Sequence, residues 1–144
     1  MKGLLRKPSD MVRIKGLYVN LENAKNRREQ LTNHLQELGL NHLYQRFPAE
    51  KGDATEAKSR NLKKGEMGLW RSWLSLLKEH AKPKPDEEYD YLHIIEDDAE
   101  LSNTVLKFLK NLDEKSGDFD CLFTEMYINP QGWLTLSPIV EGLK

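Results

Sequence analysis

Tyr91-Leu92-His93-Ile94-Ile95-Glu96-Asp97-Asp98-Ala99 is the stretch that decides how this chain is read. Tyr91 to Ile95 combines aromatic and branched apolar side chains, which suit a pleated surface covered on both faces, and predicts a buried strand. Three consecutive acids follow at once. In an open α/β sheet the ligand crevice lies outside the carboxyl ends of the strands. Adjacent carboxylates repel one another there, and a hard cation relieves the repulsion. Mg²⁺ or Mn²⁺, held by one or two carboxylates and the phosphates of a substrate, fits that chemistry. Side chains alternate along extended backbone, so Glu96 and Asp98 share one face and are the expected metal ligands, while Asp97 points the other way. A solvated acidic turn that caps the next helix is the competing reading of the same spacing.

Outward from this strand the chain alternates between strand and helix patterns. Residues 14–21, with Leu17, Tyr18 and Val19, read as a first strand, and residues 43–47 as a second, ended by Pro48. Between them a helix capped by Asn23 carries Ala24, Leu31, Leu35 and Leu38 on its apolar face. Gly39 stops it in the C′ position, with Leu40 as the accompanying apolar contact. Residues 51–64 are polar and basic and read as a loop. A further helix over 66–80 is expected to bury Met67, Trp70, Leu74 and Leu77. Residues 81–90, with Pro83, Pro85 and several acids, read as a surface connector. Past the acidic strand, a helix near 104–112 and a strand over 119–124 are predicted. Residues 1–13 read as a mobile tail and 14–144 as one domain. This order predicts an α/β fold, a Rossmann-like and mostly parallel sheet flanked by helices.

Bulk composition narrows the class further. The 144 residues are 38% hydrophobic and 31% charged, as in a very soluble globular domain. A net charge of −1 argues against nucleic acid as the main partner. No apolar stretch has the length of a transmembrane span and no signal peptide is evident, so a cytoplasmic, reducing setting is the expectation. Cys121 stands alone and reads as a small buried hydrophobe, not a catalytic thiol. The histidines His34, His42, His80 and His93 have no metal-ligand spacing, and His93 reads as a satisfied structural residue. Neither a G-x-G-x-x-G nor a G-x-x-x-x-G-K-[ST] motif is present.

Several segments, taken in order, resemble glycosyltransferase family 25, which includes bacterial lipooligosaccharide galactosyltransferases. They are Leu17-Tyr18-Val19-Asn20-Leu21, Asn26-Arg27-Arg28, Leu38-Gly39-Leu40, Arg46-Phe47-Pro48-Ala49 with Gly52, Gly65-Glu66-Met67-Gly68 with Ser72, and Ile94-Ile95-Glu96-Asp97-Asp98-Ala99. The resemblance spans about residues 14–124. It implies a GT-A fold, a nucleotide-sugar donor such as UDP-galactose, a glycan acceptor and a divalent cation, usually Mn²⁺. Glu96-Asp97-Asp98 then stands where that fold keeps its DxD-type motif. The implied activity is transfer of a hexose in lipopolysaccharide or lipooligosaccharide biosynthesis, with peripheral membrane association and a homo-oligomer as compatible settings. Two departures bear on activity. Leu69 replaces the family's Cys, and Trp73 follows Ser72 where the family has His. The family's catalytic region also normally runs well past residue 144.

The matched residues have direct chemical readings. Asn20 and Leu21 lie at the carboxyl end of the first strand, where an amide can both donate to and accept from a uracil edge, or close the strand-to-helix turn. Arg27 and Arg28 offer fork-shaped donors to a diphosphate, or pair with Glu22 or Glu29. Gly65 and Glu66 either let backbone approach a ligand or simply begin a helix. Lys58, Arg60, Lys63 and Lys64 either attract phosphate or are solvated. Glu125 is the only candidate general base in this reading. A degenerate, non-catalytic glycosyltransferase-like domain that binds nucleotide or a protein is the alternative. A phosphoacceptor receiver is disfavoured, because Asn20-Leu21-Glu22-Asn23 occupies the place where it needs acids. Trp133, Leu134 and Leu136 predict a partner surface, either a missing domain or a second copy.

Overall fold

A computed structural model describes residues 12–104 and Lys107. Its elements run β1 (Ile14–Asn20), α1 (Lys25–Glu37), β2 (Tyr44–Pro48), α2 (Ala54–Ser59), α3 (Lys64–His80) and β3 (Tyr91–Glu96). The strands form an open three-stranded sheet in the order β2-β1-β3, and both pairings are parallel. The expected α/β character is therefore present. The predicted helix near 104–112, the strand over 119–124, Glu125 and Trp133 to Leu136 lie outside the described residues, apart from helical turns at Asn103, Thr104 and Lys107.

Alternation along the central strand splits the core into two layers. On one side Tyr18 packs with Leu31 and Leu35 of α1, Leu40, Tyr44 and Ile95. On the other, Leu17 and Val19 pack with Phe47 and with Leu76 of α3. Being covered on both faces is why β1 reads as a nearly unbroken apolar run.

Local chemistry explains the element ends. Gly39 adopts φ +70°, the Leu40 amide donates to the Leu35 carbonyl (2.7 Å) and the Gly39 amide to Gln36 (2.9 Å). These two bonds form a Schellman motif, and Leu40 joins Leu35 in the core as its apolar contact. The amino end of α1 differs from expectation. Ala24, not Asn23, is the N-cap, and no side chain caps the helix.

Residues 51–64 are not all loop, because they contain α2. Asp53 Oδ1 accepts the Glu56 amide at 2.8 Å, and Ala57 is buried. The short helix thus rests on a cap and one small apolar contact.

In α3 the buried side is Gly68, Ser72, Leu76 and His80, with Met67 also buried, whereas Trp70 (58% exposed), Leu74 and Leu77 face outward. Close approach to the loop after β2 selects this face. A Cβ on Gly52 would lie 1.8 Å from the Lys64 carbonyl oxygen, and one on Gly68 2.8 Å from the Glu50 oxygen. Large side chains cannot occupy that contact, so the bulky apolar residues turn away from it.

A second small residue shapes the sheet. Gly16 is in register with Tyr44 on β2 and with His93 on β3. A Cβ at Gly16 would fall 2.5 Å from the Tyr44 ring. Without it the ring lies across β1, and Tyr44 Oη sits 2.6 Å from His93 Nδ1, buried. Burial pushes the Tyr44 hydroxyl up to about 12 and holds the His93 imidazole below its ordinary range. Both groups are neutral, which is what a buried hydrogen-bonded pair requires.

Candidate functional site

The order β2-β1-β3 places a switch point between β1 and β3, because the chain crosses from β1 to β2 on one side and to β3 on the other. The crevice of an open α/β sheet lies at such a point. In this sheet that end of the strands carries Asn20 at the end of β1 and Glu96-Asp97-Asp98 at the end of β3.

Asn20 is 1% exposed and organises this edge. Its Nδ2 donates to Asp97 Oδ2 at 2.6 Å and to the Ala24 carbonyl at 3.1 Å. Arg46 Nε donates to Asn20 Oδ1 (3.1 Å), and Arg46 Nη2 to the Asn20 carbonyl (3.2 Å) and to Glu22 (2.7 Å). Both amide hydrogens of Asn20 are thereby engaged. The side chain closes the strand-to-helix turn and aims Asp97 at the same time. Leu21 contributes its carbonyl to that turn, accepting from the Ala24 amide at 3.0 Å.

Asp97 is buried, and its other oxygen, Oδ1, lies 3.2 Å from Arg27 Nη1. Arg28 approaches Glu22 at 3.9 Å. The Arg46 guanidinium holds the Glu22 carboxyl below its usual range. The first turn of α1 thus carries cations and no acid, the reverse of what the helix dipole favours. Asp97 and Glu22 supply negative charge from outside the helix. Arg27, half exposed, keeps donors free for a further anion.

Glu96 and Asp98 are exposed while Asp97 turns inward, as alternation predicts. Partial burial, then the neighbouring charges of Asp98 and Asp97, raise the Glu96 carboxyl above its ordinary range. Bound positive charge would reverse that effect. Among the described residues no set of three or more His, Cys, Asp or Glu side chains forms a metal cage. Two carboxylates fit the alternative mode, in which Mn²⁺ or Mg²⁺ keeps waters and takes its remaining ligands from substrate phosphates.

Gly65, Glu66 and Ser72 fall in a neighbouring layer. Ser72 is fully buried, accepts the Glu50 amide at 2.8 Å and donates to the Gly68 carbonyl at 2.7 Å. Glu66 accepts the Lys63 amide at 2.7 Å, and Gly65 borders open space. The link to the crevice runs through backbone, since Ala49, next to Glu50, donates its amide to the Asn20 carbonyl at 3.0 Å.

Arg46, which the sequence reading places only within a matched segment, holds the centre of the network. Its signal lies in register. Pairing of Tyr18 with Arg46 and with Ile95 puts the Arg46 side chain on the sheet face that carries Asn20 and Asp97. No protein-family model matches this chain, and no curated protein or solved structure is significantly similar to it.

Proposed function

We propose that this chain is a metal-dependent glycosyltransferase of Rossmann-like GT-A type that moves a hexose, galactose in the first instance, from a UDP-sugar to a saccharide acceptor. The observation that carries the reading is the Asn20–Asp97–Arg27 cluster at the sheet's switch point, with Glu96 and Asp98 exposed beside it. In this reading Arg27 and the uncapped end of α1 take the diphosphate. Glu96 and Asp98 would hold the cation, whose bound charge would offset that of the departing nucleotide. Asp97 acts on Arg27 as a positioning residue. A membrane-borne lipooligosaccharide precursor is the acceptor class that the resemblance implies.

A second reading rests on its own observation. Asp97, the central acid of the triplet, is engaged by Asn20 and Arg27. A domain that binds nucleotide without catalysing transfer is compatible with that arrangement. Release of UDP from UDP-galactose and other UDP-hexoses, followed with Mn²⁺ and mixed saccharide acceptors, separates the two. Acceptor-dependent release supports transfer. UDP binding without release supports the non-catalytic domain, and neither removes both.

A further inference from the structure

We propose that the outer face of α3, together with the lysines at its amino end, docks on an anionic bilayer surface. Trp70, Leu74 and Leu77 follow one another at i, i+4 and i+7, and lie on one stripe of the helix. They are 58%, 40% and 41% exposed; Leu69, about 100° round the helix from Trp70, and Leu62, just before α3, are exposed as well. Isolated exposed apolar residues are ordinary, but three aligned over about two turns mark an interaction face.

The charge beside the stripe selects the partner. At the amino end of α3 a concavity of about 510 Å³ has Ala54, Ala57 and Leu62 in its wall and Lys58, Lys63 and Lys64 around it. These lysines have no carboxylate partner among the described residues, whereas Arg60 and Arg71 share Glu56. Glu66, the acid in the same wall, accepts the Lys63 amide. Lys78 stands one turn beyond Leu74 on the same side and also has no ion-pair partner among the described residues. A Trp and Leu stripe flanked by lysines is the composition of a helix that lies in the headgroup plane. The apolar side chains enter the acyl boundary, the lysine stems cover apolar surface, and their ammonium groups meet lipid phosphates. A hydrophobic protein partner would not require the lysines.

The face uses none of Asn20, Arg27, Asp97, Glu96 or Asp98, so it stands or falls separately from nucleotide binding. The test is co-sedimentation of the full chain with vesicles of phosphatidylcholine, alone or mixed with phosphatidylglycerol. Binding is expected only to the anionic vesicles, and is expected to weaken as salt rises. Lys63→Gln and Lys64→Gln should each reduce it roughly fivefold. Trp70→Ser should reduce it on the order of tenfold with an unchanged melting temperature. No binding to anionic vesicles, or binding that the combined variant Lys63→Gln, Lys64→Gln, Trp70→Ser retains, overturns the proposal. A change of oligomeric state in Trp70→Ser without lipid binding assigns the face to a second copy. A lowered melting temperature without lipid binding assigns it to the chain's own packing. Either result also overturns it.

Discussion

Asn20 Nδ2 and Asp97 Oδ2 lie 2.6 Å apart across 77 residues of sequence, joining the carboxyl ends of β1 and β3. The same amide holds the Ala24 carbonyl, and its oxygen takes Arg46. One buried side chain therefore sets the β1–α1 turn, the direction of Asp97 and the direction of Arg46. Buried polar networks of this kind are stabilising only while every member is satisfied.

Asn20→Ala should consequently destabilise the fold by about 1–3 kcal/mol, since it strands a buried carboxylate oxygen and a guanidinium. Urea unfolding measures this. Asn20→Asp should be at least as damaging, because it sets a second carboxylate against Asp97. A loss below about 0.5 kcal/mol in both variants would show that the network contributes nothing.

The Tyr44–His93 pair predicts a pH dependence. Burial depresses His93, and burial with the nearby Lys15 ammonium depresses His80, whose Nδ1 accepts from Lys15 Nζ at 3.2 Å. Each imidazole binds its proton more readily in the unfolded chain, where the value is about 6.5. Stability is thus intact above about pH 6.5 and falls as pH drops through that range toward the lower folded values. Glu22 and Glu87, both held low by basic partners, add a further loss below about pH 4.5. Urea midpoints between pH 7.5 and 5.5 check the first step, and His93→Gln should reduce it to the part that His80 contributes.

Gly16→Ala tests how the pair is reached. The added methyl meets the Tyr44 ring, which must swing off β1 and release His93. A loss of about 1–3 kcal/mol is expected, as for other overpacked cores. Tyr44→Phe combined with Gly16→Ala should cost less than the sum of the two, because both act on one contact.

Helix α3 offers a contrast between two apolar residues. Leu76 is fully buried, and Leu76→Ala should cost about 2–5 kcal/mol. Trp70→Ala should change stability by no more than about 0.5 kcal/mol despite the larger side chain. Gly68→Ala should resemble Leu76→Ala, since its methyl meets backbone atoms of Glu50 and Gly52. Thermal unfolding of the three variants decides whether the face is assigned correctly.

Much of the scaffold was legible because periodicity reports burial. β1, β2 and β3 fall within about a residue of the expected strands, and Gly39 ends α1 as expected. What escaped depends on contacts between distant segments. The buried face of α3 is set by the close approach of Gly52 to Gly68 and Lys64, so small residues are buried where hydrophobicity favours Trp70. α2 is too short and polar for a periodic signal, although Asp53 followed three residues later by Glu56 is a capping pattern. Arg46 escaped because its role follows from strand register, which one strand read alone does not contain.

The central claim is that the edge between β1 and β3 binds a nucleotide diphosphate through a cation. Calorimetric titration of UDP into the full chain, with and without Mn²⁺, tests it most directly, alongside Asp98→Ala and Arg27→Ala. Asp98 is exposed, so Asp98→Ala should leave the melting temperature unchanged, whereas Arg27→Ala also removes the partner of buried Asp97 Oδ1 and should lower it slightly. The account predicts Mn²⁺-dependent binding that Asp98→Ala abolishes and Arg27→Ala weakens about tenfold. Equal heats with and without the metal, or unchanged affinity in Asp98→Ala, would contradict it.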